Sequence, residues 1–358
     1  MDNNATKNNT RIYAFDVMRI IAICAVVMIH ISADYVKDFQ NNTIDFVCGN
    51  LLNSISRFAV PMFFMISGAL MLNENKKNTT RKILYSVSNI FILLVAWSGL
   101  YSVAYNVIKP IIFNESISMS AIMYSFFNGH YHLWYLFVLI GLYFATPILR
   151  TFIKRDNSRL IGIYLVLSII VCFCGSFINE FINLFVSKDN LLLDYLSNYR
   201  LDYIYEYIIY YILGWYILNV EIKKTNRIFL YISGLFGLFT TFVCTQVFFN
   251  SSVSVNNYFY SNDSLNVFLY SIAIFTLISY LFKKNTFPSN RFVLSLSNLT
   301  FGVYLIHPVF LFGLKIICKG INSSLFEIIV IFLGAIIASF VSVYIISKIP
   351  VLRKLIRG

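Results

Sequence analysis

The chain has 358 residues, of which 58% are hydrophobic, 18% aromatic and only 12% charged. No soluble domain has an interior large enough to hide that much apolar surface, so the composition excludes a soluble globular protein and specifies an integral membrane protein. The net charge of +12 is placed as a topology signal rather than as a nucleic-acid footprint, and no nucleic-acid partner is expected.

A spanning helix needs about 20 mostly apolar residues. The sequence offers such stretches at 13–33, 46–72, 83–108, 131–149, 159–178, 203–219, 228–249, 264–282, 292–314 and 325–347. They are too long and continuous for barrel strands, which leaves helices as the spanning form. The expected fold is all-α, a polytopic bundle of about ten transmembrane helices in one domain over 1–358. Tails at 1–12 and 350–358 flank a bundle at 13–349.

The first stretch, YAFDVMRIIAICAVVMIHIS, carries Asp16, Arg19 and His30. Arg19 and His30 are separated by nearly a whole number of helical turns. They therefore project from almost one face, about 16 Å apart along the axis. Asp16 lies one turn before Arg19 on the same side. Ionisable residues inside a membrane helix are costly and mark a pathway or a reaction centre. A signal-anchor helix whose charges snorkel to the interface accounts for Asp16 and Arg19, but poorly for His30 at the far end.

The second stretch holds Arg57 in SRFAVPMFFMISG. Pro61 cannot donate a backbone hydrogen bond, so the Arg57 carbonyl is released and a kink is expected there. Ser67-Gly68 permits close approach of another backbone or of a ligand. Residues 116–128 are amphipathic and suit the membrane interface. In GHYHLWYL, His130 and His132 are two apart and do not share a helix face. The aromatic cluster around them, Trp134 included, suits an interfacial belt or stacking against a sugar ring. The longest polar segment, 179–202, suits either an external ligand or a solvated loop. In TFGVYLIHP, Pro308 frees the carbonyl of Tyr304 beside His307, and these two side chains share a face.

The six cysteines sit mostly in apolar runs as small packing residues. The sequence has no HExxH, GxSxG, phosphate-binding loop or dinucleotide fingerprint, so no metal site and no permanently bound cofactor is expected.

Basic residues alternate between connections. Lys7, Arg11, Lys76, Lys77, Arg81, Lys82, Arg150, Lys154, Arg155, Arg159, Lys223, Lys224, Arg227, Lys283, Lys284, Arg291, Lys348, Arg353, Lys354 and Arg357 fall on one side. Only Lys37, Lys109, Lys188, Arg200, Lys315 and Lys319 fall on the other. The positive-inside rule then puts both termini in the cytoplasm, which requires an even number of spans. On this reading Arg19 lies in the inner half of the bilayer, Arg57 near mid-depth, His307 at mid-depth or beyond, and His30 in the outer third. All four histidines fall in the outer half.

The segments FDVMRIIAICAVVMIH, SRFAVPMFFMISGALML, YHLWYLFVLIGLYFATPIL and TFGVYLIHP resemble the acyltransferase 3 family of integral membrane O-acyltransferases, over almost the whole chain. The resemblance implies transfer of an acyl group, usually acetyl from cytoplasmic acetyl-CoA, to a glycan or lipid-linked saccharide at the outer face of the cell membrane. It maps the family's presumed catalytic pair onto Arg19 and His30, its second-helix arginine onto Arg57, and its late histidine onto His307. Many longer relatives carry paired acids after the HxW element, and LFVLIGLYF has none.

On that reading His30 is the general base or the acyl carrier, and Asp16 fixes Arg19. Arg19 and Arg57, with Ser67 and Gly68, meet the acyl-CoA. His132, Trp134, Tyr304 and His307 meet the acceptor. The same residues also fit a proton relay in a proton-coupled exporter or flippase, or a ligand-sensing membrane domain without catalysis. The topology is testable alone: single cysteines at 76–82, 150–159 and 283–291 should label from the cytoplasm and those at 180–200 from outside. External labelling of a cysteine replacing Lys154 would overturn the orientation.

Overall fold

A computed structural model describes residues 13–37, 44–74, 79–108, 111, 116–178, 202–248, 258–283, 290–318 and 324–357. The tail 1–12 and residues 179–201 of the polar segment lie outside them. Every regular element among the described residues is helical. This is what an apolar chain in lipid demands, since a helix satisfies its backbone hydrogen bonds internally. The helices are α1 (Tyr13–Lys37), α2 (Ile44–Ser56), α3 (Ala59–Met71), α4 (Thr80–Val103), α5 (Met119–Asn128), α6 (Trp134–Phe152), α7 (Ser158–Ser168), α8 (Asp202–Asn219), α9 (Lys224–Phe248), α10 (Leu265–Lys283), α11 (Arg291–Ile317) and α12 (Ser324–Lys348).

Nine helical stretches among the described residues are long and apolar enough to cross a membrane, with α2 and α3 counted together. A tenth, Tyr207–Asn219, is apolar but shorter. The chain is therefore a multi-pass membrane protein, a polytopic helix bundle. Its outer surface is apolar, as a lipid-facing surface must be: Phe91 and Ile92 on α4, Leu235, Phe236 and Phe239 on α9, and Ile337 on α12 are all exposed.

The expected second helix is two helices. The break falls at Arg57-Phe58, and α3 starts two residues before Pro61. The missing proline N–H thus sits in the first turn, where it has no intrahelical partner to lose. The amphipathic stretch forms α5, with Met119, Met123, Tyr124 and Phe127 exposed. Its polar side is tied to α4 and to the π-helical turn Ala104–Ile108 that follows it: Ser102 Oγ donates to the Ile122 carbonyl (2.7 Å) and Asn106 Nδ2 to Ser125 Oγ (2.6 Å).

α1 is central and packs against α2, α3, α10, α11 and α12. Two polar clasps tie it to α11. Near one end Ser297 Oγ donates to Asp16 Oδ1 (2.6 Å). Near the other Lys315 Nζ pairs with Asp34 and donates to the His30 carbonyl (3.1 Å).

α3 and α8 meet through reciprocal glycines. A Cβ on Gly68 would lie 1.8 Å from the Tyr211 carbonyl oxygen, and one on Gly214 1.9 Å from that of Met65. Small residues bring membrane helices into backbone contact, where dispersion and packing replace a hydrophobic driving force. Gly68→Ala should therefore lower stability in detergent unfolding by about 3 kcal/mol, the upper end of overpacking costs. Gly313→Ala, whose Cβ meets nothing within 4 Å, should be neutral or slightly stabilising. Equal midpoints for the two variants would refute the packing argument.

Candidate functional site

α1, α3, α6 and α11 enclose a cavity of about 640 Å³, a volume within the range of ligand sites. Along α1 its lining reaches from Arg19, beside Asp16 and Ser297, to His30, about 16 Å further along the axis. Arg57, His132, Trp134, Asn262, Asn298, Ile356 and Arg357 line it too. Apolar side chains of α1, α3, α6 and α11, among them Val26, Phe63, Ile66, Leu70, Leu139 and Phe301, form the walls between.

At the Arg19 end, Arg19 Nη1 lies 3.5 Å from Asp16 Oδ1, which also accepts from Ser297. Arg19 is 29% exposed and Asp16 fully buried. The carboxylate balances and orients the guanidinium from behind. Asp16, expected among the catalytic residues, does not line the cavity but contacts Arg19, which does.

Arg57 is placed by the break between α2 and α3. Its Nε donates to Asn53 Oδ1 (2.6 Å), its Nη1 to the Tyr260 carbonyl (3.0 Å), and its guanidinium lies over the Tyr260 ring at 4.4 Å. Those partners are themselves fixed. Asn53 Nδ2 donates to Ser32 Oγ (2.9 Å) and to the Ile29 carbonyl (3.2 Å) on α1. The Tyr260 hydroxyl donates to Asn50 Oδ1 (2.6 Å), whose amide nitrogen reaches Gln246 Oε1 on α9 (3.1 Å).

All four histidines gather at the His30 end. His30 stacks on His307 with centroids 5.4 Å apart and meets Tyr131 edge-on at 4.9 Å. His307 is fully buried. Its Nδ1 reaches the Tyr304 carbonyl at 2.8 Å and the Val303 carbonyl at 3.2 Å. Carbonyls only accept, so Nδ1 carries the proton and Nε2 is left as a buried lone pair without a hydrogen-bond partner. The Tyr304 carbonyl is the one that Pro308 frees, and the imidazole takes the place of the missing amide.

His132 lies 5.4 Å from His307, and its Nδ1 is 2.9 Å from that of His130. One of the two nitrogens donates and the other accepts, so this pair shares one proton. Burial pushes the His130 pKa down to about 4 and that of His132 well below the ordinary value. Both rings are therefore neutral at pH 7, as the close contact between their nitrogens requires. Gly129, at φ 71, makes the turn that brings them in from α5. The Tyr304 hydroxyl closes the cluster by donating to the His132 carbonyl (2.6 Å).

Arg19, His30, Arg57, Ser67, His132, Trp134 and Tyr304 line one cavity. Arg19 and His30 do not touch; they occupy its opposite ends. Two further expected site residues lie elsewhere. Gly68 faces the α8 backbone rather than the cavity, because its missing side chain is what admits Tyr211. His307 stands behind His30, not in the wall, because Pro308 turns its ring back onto the Tyr304 carbonyl. Among the described residues no group of three or more His, Cys, Asp or Glu is arranged to hold a metal ion.

Sequence reasoning missed Asn262, Ser297, Asn298, Ile356 and Arg357 in the lining. Ser297, Asn298 and Thr300 had a signal: they are polar residues inside a span, directly before TFGVYLIHP.

A polytopic helix bundle with basic and imidazole side chains at opposite ends of one internal cavity belongs to the class of membrane-embedded binding or transfer proteins. Residues 12–348 match the acyltransferase 3 family, described as an acyltransferase domain. The chain belongs to that family and is a membrane acyltransferase by descent. No curated protein and no solved structure matches it.

Proposed function

We propose that the chain is an O-acyltransferase that draws the acyl group from acyl-CoA, most simply acetyl-CoA, at the Arg19 end. It passes the group to a hydroxyl of a surface glycan or glycolipid at the His30 end. The observation that carries this reading is the single cavity with a guanidinium at one end and His30 at the other. The donor is anionic and enters from the cytoplasm. The acceptor is a hydroxyl that needs a base.

The acceptor oxygen attacks the thioester carbonyl carbon and the C–S bond breaks. The hydroxyl proton passes through His30 to the departing thiolate, so an ester and free CoA are formed. Direct attack and prior transfer of the acyl group to the His30 ring both satisfy this balance. Arg57, held in the cavity wall by Asn53 and Tyr260, is the donor available for the carbonyl oxygen as it gains charge. The neutral His132, with Trp134 and Tyr304, offers the acceptor a polar edge and aromatic faces. A saccharide acceptor in the cell envelope draws support from LLNSISRFAVPMFFMISG, YHLWYL and YYILGW. In those segments the chain resembles the enterobacterial common antigen O-acetyltransferase.

Mass spectrometry of surface glycans from cells with and without the protein tests the reading: an acyl substituent should disappear with the gene. His30→Ala should insert and fold yet lower transfer at least about a hundredfold. Full activity in a well-expressed variant would remove His30 from the chemistry. Arg19→Lys keeps the charge beside Asp16 but loses the planar two-donor fork. A marked loss of donor affinity in steady-state transfer is expected. Unchanged rate and donor dependence would reduce Arg19 to a counter-ion of Asp16.

A further inference from the structure

The residues that follow α12 were expected to form a tail in the aqueous phase. They are built into the bundle instead. Leu352–Leu355 make a 3₁₀ turn, with Arg353 N donating to the Ile349 carbonyl at 2.9 Å. Trp97 of α4 donates its indole N–H to the Leu355 carbonyl at 2.8 Å. Ile356 is 4% exposed and belongs to the main core cluster. Gly302 of α11 leaves the room for it, since a Cβ there would come within 3.2 Å of Ile356 Cβ and 2.6 Å of Val343 Cγ1. The turn, the indole bond and the buried isoleucine together deliver Arg357 into the wall of the cavity that Arg19 also lines.

We propose that Arg357 is a donor-binding residue, which with Arg19 holds the phosphates of the nucleotide portion of acyl-CoA at the mouth of the cavity. This rests on the acyl-CoA reading above and adds to it the segment 352–357. Charge supports it. Asp16 balances Arg19, whereas among the described residues no carboxylate pairs with Arg357. Among the described residues the mouth thus carries more positive than negative charge. A guanidinium binds phosphate oxygens through two parallel donors, so two of them suit a diphosphate better than a lone carboxylate or a neutral solute. Shape supports it too. From that mouth the walls turn apolar toward His30, about 16 Å from Arg19 along α1. That path suits a flexible, largely uncharged thioester arm whose charged head stays outside.

The test is equilibrium binding to the purified full chain of radiolabelled acetyl-CoA and of S-acetylpantetheine, which has the thioester arm without the nucleotide. Arg357→Ala should weaken acetyl-CoA binding about tenfold, the loss of one charge-assisted hydrogen bond. Its binding of S-acetylpantetheine should stay within about twofold of wild type. Arg357→Lys should fall between wild type and Arg357→Ala for acetyl-CoA. Lys354→Ala, exposed on the same turn and absent from the cavity lining, should bind both probes as wild type does. Wild-type affinity for acetyl-CoA in Arg357→Ala overturns the inference and leaves the acyl-CoA reading standing. An equal loss for both probes also overturns it, because the segment then acts through packing alone. Absence of acetyl-CoA binding to the wild-type chain overturns both.

Discussion

A guanidinium carried into hydrocarbon must find its hydrogen-bond acceptors within the protein, because lipid supplies none. Arg57 meets this demand with one side-chain oxygen, one backbone carbonyl and one aromatic face, and much of the His30 end of the bundle is arranged around it. Asn53 must point inward from α2, which ties α2 to α1 through Ser32 and the Ile29 carbonyl. Tyr260 must lie under the guanidinium, which brings the turn before α10 against Asn50 and so against α9. The Tyr270 hydroxyl of α10 takes the Ser54 carbonyl (2.8 Å) and completes the enclosure. The network that satisfies one buried charge is also the scaffold that fixes the wall opposite His30.

Two prolines act on that scaffold in different ways. At Pro61 the chain interrupts the helix just upstream, so the missing N–H falls where no helical bond is due and Arg57 is set on a bend. At Pro308 the helix runs on from Arg291 to Ile317. It does so because the freed Tyr304 carbonyl is taken by a side chain, the protonated Nδ1 of His307. The first proline positions a cation by breaking a helix. The second fixes the tautomer of an imidazole without breaking one.

The architecture was legible in the sequence because its determinants are local. Apolar length marks the helices. The face shared by Arg19 and His30 followed from helical periodicity, and both do line one cavity. What needed coordinates was direction across the bundle. Gly68 and Ser67 are neighbours, yet one meets a helix backbone and the other the cavity. His307 shares the Tyr304 face but lies behind His30. Nothing local to LRKLIR set it apart from the other basic connections. Its burial depends on Trp97 and Gly302, more than two hundred and more than fifty residues away in the chain respectively, and sequence periodicity carries no information about such partners.

The clasps between α1 and α11 have a further consequence. Asp16 and Asp34 are eighteen residues apart, and so are their partners Ser297 and Lys315. Eighteen residues are five full turns, about 27 Å of rise. The two parallel helices are therefore pinned in phase at both ends, like a pair of matched screws. A residue inserted into either helix between the clasps turns one end by about 100° against the other. Such a change carries His30 off His307 while leaving hydropathy, length and composition almost untouched. The spacing between the clasps in α1 and α11 is thus held by geometry, independently of which side chains lie between them.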